Sequence, residues 1–210
     1  MSGRVGRPYE AVLFDFDGVL VDSEPVHYAC WRDVLAPLGI PLEWEVYRTR
    51  CIGVADQKLI QLFCTLAGPS VDYESVHSAY PRKRDLFRER MLASLPMADS
   101  TRSLFDRLSR YKLAVVSSSS RPEVEPPLQR AGVLGYLDAV VYGEDVASHK
   151  PSPEPYVLAA KRLGIRTALV VEDSEAGEAS GRAAGFDVLR VPHPSATGEL
   201  VAARLGLGLR

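Results

Sequence analysis

In the second half of the chain, short apolar runs alternate regularly with amphipathic segments. The apolar runs have the length and flanking turn residues of strands, and the segments between them have the 3.6-residue spacing of helices. The predicted strands cover residues 113–117, 139–142, 168–173 and 187–191, after a first apolar run that begins at residue 11. The predicted helices cover residues 101–111, 124–131, 155–163 and 175–184. Because strands separated by helices form parallel sheets that are buried on both faces, we expect an α/β core.

Residues 25–94 have a different pattern, with helical spacing almost throughout and no strand-like apolar run. Helices are predicted over residues 25–38, 56–66 and 71–95, and Pro81 should bend or divide the last of them. We therefore expect a helical domain at residues 25–94, inserted into a core that is formed by residues 1–24 and 95–210.

The composition excludes several classes of protein. The chain has 210 residues, of which 46% are hydrophobic, so it can bury a large core. Its net charge of −2 provides no basic field for nucleic acid or an anionic membrane. No apolar run approaches the ~18 residues that span a bilayer, and the N-terminus lacks the apolar centre of a signal peptide. Three cysteines without metal-binding spacing fit a reducing compartment, so we expect a cytoplasmic protein, with the oligomeric state open and a monomer plausible.

The first apolar run ends in the sequence Asp15-Phe16-Asp17-Gly18. Residues two apart in an extended segment face the same side, so the carboxylates of Asp15 and Asp17 can approach one site. Two carboxylates that close resist double ionisation unless a cation lies between them or one of them keeps its proton. A solvated turn is the alternative interpretation, since Asp and Gly both favour turns.

Polar residues also follow the other predicted strands. Because the carboxyl ends of parallel strands meet at one edge of a sheet, these residues should converge on the same site. Besides the two aspartates, this edge receives Ser117 and Ser118 after the second strand, Lys150 after the third, and Glu172 and Asp173 after the fourth. Helix capping or a rigid turn could explain each of these segments alone, but their combination at four strand ends indicates an active site.

The residue types in this set suit phosphoryl transfer. Carboxylates of Asp15, Asp17 and Asp173 are oxygen ligands for Mg²⁺, and Glu172 could bind the ion directly or hold one of its waters. Asp15 could then attack phosphorus to give an aspartyl-phosphate, with Asp17 as the general acid and base. The phosphoryl oxygens would be bound by Ser117, Ser118 and Lys150, and Gly18 is a further candidate for phosphate binding.

Taken together, the motifs resemble the haloacid dehalogenase-like hydrolase superfamily, within the branch that includes β-phosphoglucomutase and many small-molecule phosphatases. The matching segments are Asp15-Phe16-Asp17-Gly18, Ser117, Lys150-Pro151-Ser152-Pro153 and Glu172-Asp173-Ser174-x-x-Gly177. The resemblance implies a Rossmann-like parallel-sheet core with an inserted all-helical cap domain. It also implies that Asp15 is the nucleophile and that Asp17 is the acid/base. The implied ligands of Mg²⁺ are Asp15, the backbone carbonyl of Asp17, and Asp173.

The same resemblance reduces the number of reactions that the protein is expected to catalyse. Members that displace halide from carbon are not expected to have an aspartate at position 17, so Asp17 favours phosphoryl chemistry. Phosphonate-cleaving members use a cap lysine, and we expect neither Lys58 nor Lys83 to lie in the apolar setting that lowers a lysine pKa. The expected activity is therefore that of a phosphatase or phosphomutase on a small phosphate ester.

Residues of the helical insertion should set substrate choice. His27, Trp31 and Gly53 match residues of β-phosphoglucomutase and are candidates for substrate binding, although Trp31 is a stronger candidate for the core. Ile52 and Asp56 stand where that mutase has basic residues that grip a second phosphate. Because a carboxylate would repel that phosphate, we expect a phosphatase, with a sugar phosphomutase as the alternative.

Two other classes of protein could contain some of these residue types. A receiver-type phospho-acceptor module also combines acidic residues, a Ser or Thr and a Lys, but it places its acidic pair before the acceptor aspartate, opposite to the order here. A binding protein without catalysis is disfavoured because every catalytic residue type is present.

Overall fold

The computed structural model describes residues 9–52, 54, 56–67 and 71–208, without the side chains of Asp56 and Gln57. Within this range the chain forms two compact units. The first, called here the sheet unit, contains the chain up to Asp22 and from Leu95 onward. The second, called the helical unit, is Ser23–Ser94.

The centre of the sheet unit is a parallel sheet with the strand order β3-β2-β1-β4-β5. Its strands are β1 (Ala11–Phe14), β2 (Lys112–Val116), β3 (Ala139–Val141), β4 (Ala168–Glu172) and β5 (Asp187–Arg190). Every residue of β1 is buried, as expected for a strand whose two faces and two edges are all covered. The predicted α/β fold is therefore confirmed.

Helices make up the rest of the regular structure. The helical unit contains α1 (Glu24–Leu35), α2 (Trp44–Arg50), α3 (Asp56–Ala67) and α4 (Tyr73–Ala93). The sheet unit contains α5 (Asp99–Arg107), α6 (Arg121–Ala131), α7 (Glu154–Leu163), α8 (Glu175–Ala183) and α9 (Pro194–Arg204). Short 3₁₀ turns lie at Ala36–Leu38, Leu134–Tyr136 and Gly143–Asp145.

Three helices differ from the sequence-based expectation, and one of them, α2, was not predicted as a separate helix. Pro81 does not divide α4, which continues through it as one helix of 21 residues. Helix α9 was not predicted, because its first turns contain Pro194, Thr197 and Gly198, which are poor helix formers. Tertiary contacts stabilise it instead: Thr101 on α5 donates a hydrogen bond to the Pro194 carbonyl at 3.0 Å.

The core of the helical unit encloses the side chain of Lys83, which is 1% exposed. Its Nζ lies 5.5 Å from the ring centroid of Trp31, 5.8 Å from that of Tyr80 and 5.4 Å from that of Phe87. The expectation that Lys83 lies outside an apolar setting is therefore wrong. Positions 80, 83 and 87 share one face of α4 at helical spacing, and this face points into the core.

Candidate active site

The register of the sheet brings the predicted residues to one edge. Phe14, the last residue of β1, pairs with Val115 on one side and Val171 on the other. Asp15, which directly follows β1, is therefore level with the ends of the neighbouring strands, and its amide donates to the Val171 carbonyl at 2.9 Å. Ser117 is fixed in the same way, by a 2.9 Å bond from its amide to the Val141 carbonyl.

Lys150 lies between two carboxylates at this edge. Its Nζ is 2.7 Å from Oδ1 of Asp15 and 2.6 Å from Oε1 of Glu172, and it also donates to the Val116 carbonyl at 3.0 Å. The side chains are almost inaccessible, with 7% of Lys150, 11% of Asp15 and none of Glu172 exposed. Burial opposes the charged form of Lys150, but the two carboxylates outweigh it and raise the lysine pKa. The lysine therefore carries its charge.

The Glu172 carboxylate is saturated with hydrogen-bond donors. Its Oε1 accepts from Lys150 and, at 2.7 Å, from the Tyr156 hydroxyl, while Oε2 accepts from the amides of Asp173 and Ser174 and from the Ser174 hydroxyl. Burial alone would raise the Glu172 pKa, but Lys150 and these donors hold it below its ordinary value. A direct bond from Glu172 to a cation would have to displace one of these donors, so the contacts favour an anchoring role.

Tyr156 was not identified from the sequence. Its side chain lies on the buried face of α7 and is fully enclosed. Burial, and then the Glu172 charge, raise the pKa of its phenol, so the phenol stays protonated and donates. The sequence offered little indication of this role, because a tyrosine at an apolar helix position is indistinguishable from an ordinary core residue.

Asp15, Glu172 and Asp173 form a cluster that could hold a metal ion, since one ligand oxygen from each lies within 4.8 Å of the others. Burial raises the pKa of Asp15 well above its ordinary value although Lys150 opposes this, and the charges of the neighbouring carboxylates raise it further. Burial and the Glu172 charge raise the pKa of Asp173 to about 7. If all three carboxylates were ionised, Lys150 would compensate only part of their charge, and their hard oxygen donors fit a divalent cation.

Gly18 lets the backbone pass close to this cluster. Its φ is +75°, and a Cβ at this position would lie 2.1 Å from Oδ2 of Asp173. Gly177 also lies against an acidic side chain, because its Cβ would lie 1.9 Å from the Glu172 carboxylate. A side chain at either position would force a neighbouring group to shift, and at Gly18 the positive φ would add backbone strain. A phosphate contact of Gly18 stays a prediction.

The serine run after β2 divides into distinct environments. Ser117 is buried, and its Oγ accepts from the Ser119 amide at 2.9 Å, whereas Ser118 is exposed. Ser120 forms a capping box with Glu123 at the start of α6. The Ser119 hydroxyl donates to Oδ2 of Asp17 at 2.8 Å, a contact that the sequence analysis missed because it joins positions 102 residues apart.

The remaining candidates belong to the helical unit. The His27 ring stacks on Phe87 with centroids 3.9 Å apart, and Trp31 is 1% exposed and packs against Phe63. Burial of this kind supports a core position for Trp31. Ile52 is 40% exposed. Gly53 lies outside the described residues, as does the side chain of Asp56.

Among the helices of the described ranges, none has both the length and the apolar character needed to span a bilayer.

Comparison with known proteins identifies the family. A model of the haloacid dehalogenase-like hydrolases matches residues 12–191. Fructose-1-phosphate phosphatase YqaB of Escherichia coli K12 is 31% identical over 189 residues, which cover 87% of this chain and 96% of that protein. A phosphorylated carbohydrates phosphatase of Thermotoga maritima is 29% identical, with coverage of 85% and 82%.

A solved structure agrees with these relatives. The crystal structure of CbbY from Rhodobacter sphaeroides in complex with xylulose-1,5-bisphosphate is similar with a TM-score of 0.78 and 26% identity, covering 88% of this chain and 86% of that one. The family that the motifs suggested is confirmed: the chain belongs to the haloacid dehalogenase-like hydrolases.

Proposed function

We propose that the protein is an Mg²⁺-dependent phosphatase that hydrolyses a small phosphorylated metabolite, such as a sugar phosphate, through an aspartyl-phosphate. The observation that carries this proposal is the Asp15 carboxylate, held by Lys150 at the carboxyl edge of the sheet beside Asp173. Two relatives are named as phosphatases of phosphorylated sugars, and this supports the substrate class.

Asp15 is the proposed nucleophile. Its free oxygen attacks phosphorus, the bond from phosphorus to the ester oxygen breaks, and Asp17 gives its proton to the departing alkoxide. In the second half of the reaction Asp17 takes a proton from water as the water oxygen attacks phosphorus. The bond from phosphorus to the Asp15 oxygen then breaks, which frees the Asp15 carboxylate and releases inorganic phosphate. Both aspartates thereby return to their starting states.

The other residues position the phosphoryl group and compensate its charge. Lys150 faces the nucleophile and would attract the phosphoryl oxygens. Ser117 uses a lone pair to accept from the Ser119 amide, so its hydroxyl hydrogen can still be donated to a phosphoryl oxygen. The exposed Ser118 and its amide are further candidates for this contact.

Mg²⁺, when bound by Asp15, the Asp17 carbonyl and Asp173, would supply positive charge that offsets the carboxylates and the phosphoryl group. Glu172 is proposed to act mainly through Lys150 and Ser174, which it contacts directly.

Residues 25–94 are proposed to act as the cap domain, with His27 and Gly53 contributing to substrate choice and Trp31 supporting the cap core. A cytoplasmic location and a free small-molecule phosphate ester as the partner are part of this proposal. A sugar phosphomutase remains the alternative.

A panel of phosphate monoesters assayed with Mg²⁺ and with EDTA tests the proposal. The wild type should release phosphate only with the metal, and Asp15→Asn should be inactive although it remains folded, because an amide cannot attack phosphorus. Hydrolysis of p-nitrophenyl phosphate by a verified Asp15→Asn sample would reject the nucleophile. A carbonyl-bearing phosphonate belongs in the panel, since the buried Lys83 leaves that substrate class to be tested.

A further inference from the structure

The acid/base candidate Asp17 has a side-chain partner on a different strand end. The Ser119 Oγ lies 2.8 Å from Oδ2 of Asp17, and the hydroxyl is the donor. Asp17 follows β1 and Ser119 follows β2, so the bond joins two neighbouring strand ends of the sheet unit. Both residues are partly buried.

The backbone around Ser119 is held in place on both sides. Its amide donates to Oγ of Ser117 at 2.9 Å, and its carbonyl accepts from the Gly143 amide at 3.0 Å. Gly143 approaches so closely that a Cβ there would lie 2.3 Å from the Ser118 carbonyl oxygen. The turn is thereby tied to the end of β3, and the Ser119 hydroxyl is presented to Asp17 from a fixed point.

We propose that Ser119 is a positioning residue that orients the Asp17 carboxylate for proton exchange with the substrate and with water. This inference rests on the proposed phosphatase function. The Ser119 hydroxyl donates to Oδ2 of Asp17, so the bond restricts rotation of this carboxylate. Because the donor is itself held by the turn, removal of the hydroxyl should weaken the orientation of Asp17 toward the leaving group.

The hydrogen bond also limits what Ser119 can do otherwise. A serine hydroxyl has one hydrogen, and while it is donated to Asp17 it cannot be donated to a phosphoryl oxygen. Ser119 is therefore distinct from Ser117, whose hydrogen bond to the Ser119 amide uses a lone pair. A phosphate ligand and a positioning residue give different kinetics.

The test is a series of phosphate monoesters whose leaving groups range from p-nitrophenol to a simple alcohol, compared by kcat/KM. Proton donation matters most for poor leaving groups, so Ser119→Ala should reduce kcat/KM for the alkyl ester by roughly 10–100-fold. The reduction for p-nitrophenyl phosphate should be less than about threefold, since that leaving group departs without a proton. Ser119→Thr keeps the hydroxyl and should restore most of the activity.

Two comparisons isolate the effect. Ser103→Ala removes an exposed helical serine hydroxyl that bonds the Ser100 carbonyl, and it should match the wild type throughout. In an Asp17→Asn background, Ser119→Ala should cause no further loss on phenyl phosphate, because residues that act as a unit are not additive.

An equal reduction for all leaving groups would overturn the inference and indicate a phosphate ligand, and so would full additivity with Asp17→Asn. If Ser119→Ala does not fold, Ser119→Cys provides the same comparison with a weak donor. Absence of turnover by the wild type on every ester would instead reject the proposed function.

Discussion

The phenolic oxygen of Tyr156 lies 2.7 Å from Oε1 of Glu172, and both side chains are completely buried. Because Oε1 also accepts from Lys150, the phenol helps to hold the group that faces the nucleophile. Tyr156→Phe should lower the free energy of unfolding by about 1.5–3 kcal/mol, the range for a hydrogen bond to a charged group. It should also lower kcat by about tenfold if Lys150 loses ~1.4 kcal/mol of transition-state stabilisation. Urea unfolding and steady-state kinetics measure the two effects.

Tyr136→Phe is the matched control. Tyr136 also donates to a carboxylate, that of Asp106, but it is 44% exposed. Water replaces an exposed hydrogen bond, so this variant should lose less than about 1 kcal/mol and keep its activity. Equal losses in both variants would contradict an anchoring role for Tyr156.

Gly177→Ala should damage the site through Glu172. A Cβ at position 177 would lie 1.9 Å from the Glu172 carboxylate, so either Glu172 or α8 must shift, and we expect the carboxylate to be displaced from Lys150. We expect roughly a 100-fold loss of kcat/KM, since small displacements of charged catalytic groups have large effects. Gly135→Ala is the control, because no atom lies within 4 Å of its added Cβ. Wild-type kinetics in Gly177→Ala would show that the helix can shift without disturbing Glu172.

Metal binding should become stronger as the pH rises through 7. The pKa of Asp173 is raised to about 7 without metal, chiefly by burial, so near pH 6 the folded protein holds a proton that an unfolded aspartate has lost. This proton stabilises the metal-free fold at low pH. The stabilisation is lost as the pH rises through the pKa of Asp173 in the folded protein. A metal ion that binds the Asp173 carboxylate must displace this proton. At one fixed Mg²⁺ concentration, the rise in Tm over an EDTA sample should therefore be larger at pH 8 than at pH 6.

Asp173→Asn serves as the control in the same thermal experiment. It has no carboxylate to titrate, so the Mg²⁺-dependent rise in Tm should be small and should differ little between the two pH values. An equal rise at pH 6 and pH 8 in the wild type would contradict competition between the proton and the metal at this site.

The choice between phosphatase and mutase can be followed by phosphorus NMR. With β-glucose 1-phosphate we expect release of inorganic phosphate and no activation by catalytic glucose bisphosphate, because Ile52 and Asp56 offer no positive charge for a second phosphate. Accumulation of glucose 6-phosphate without free phosphate would show that the mutase alternative is right.

The local sequence was sufficient to predict the strands, because β1 and β4 are continuous apolar runs, with an acidic residue directly after β1 and at the end of β4. Since parallel strand ends meet at one edge, it also predicted that Asp15 and Lys150 would converge there, and these two lie in contact. It could not predict Tyr156 or Ser119, whose roles depend on hydrogen bonds to distant parts of the chain. The environment of Lys83 was mispredicted because its burial depends on packing between helices.

The central place of β1 in the strand order also determines how large an unfolding fluctuation is needed to disrupt the site. Each edge of β1 is hydrogen-bonded to a neighbour, β2 on one side and β4 on the other, whereas β3 and β5 are the outermost strands among the described residues. Edge strands can fray locally, but the amides of a central strand exchange with solvent only in large-scale opening. Amide exchange should therefore be slowest in Val12 and Leu13. The nucleophile would keep its geometry through fluctuations that transiently detach either margin of the sheet.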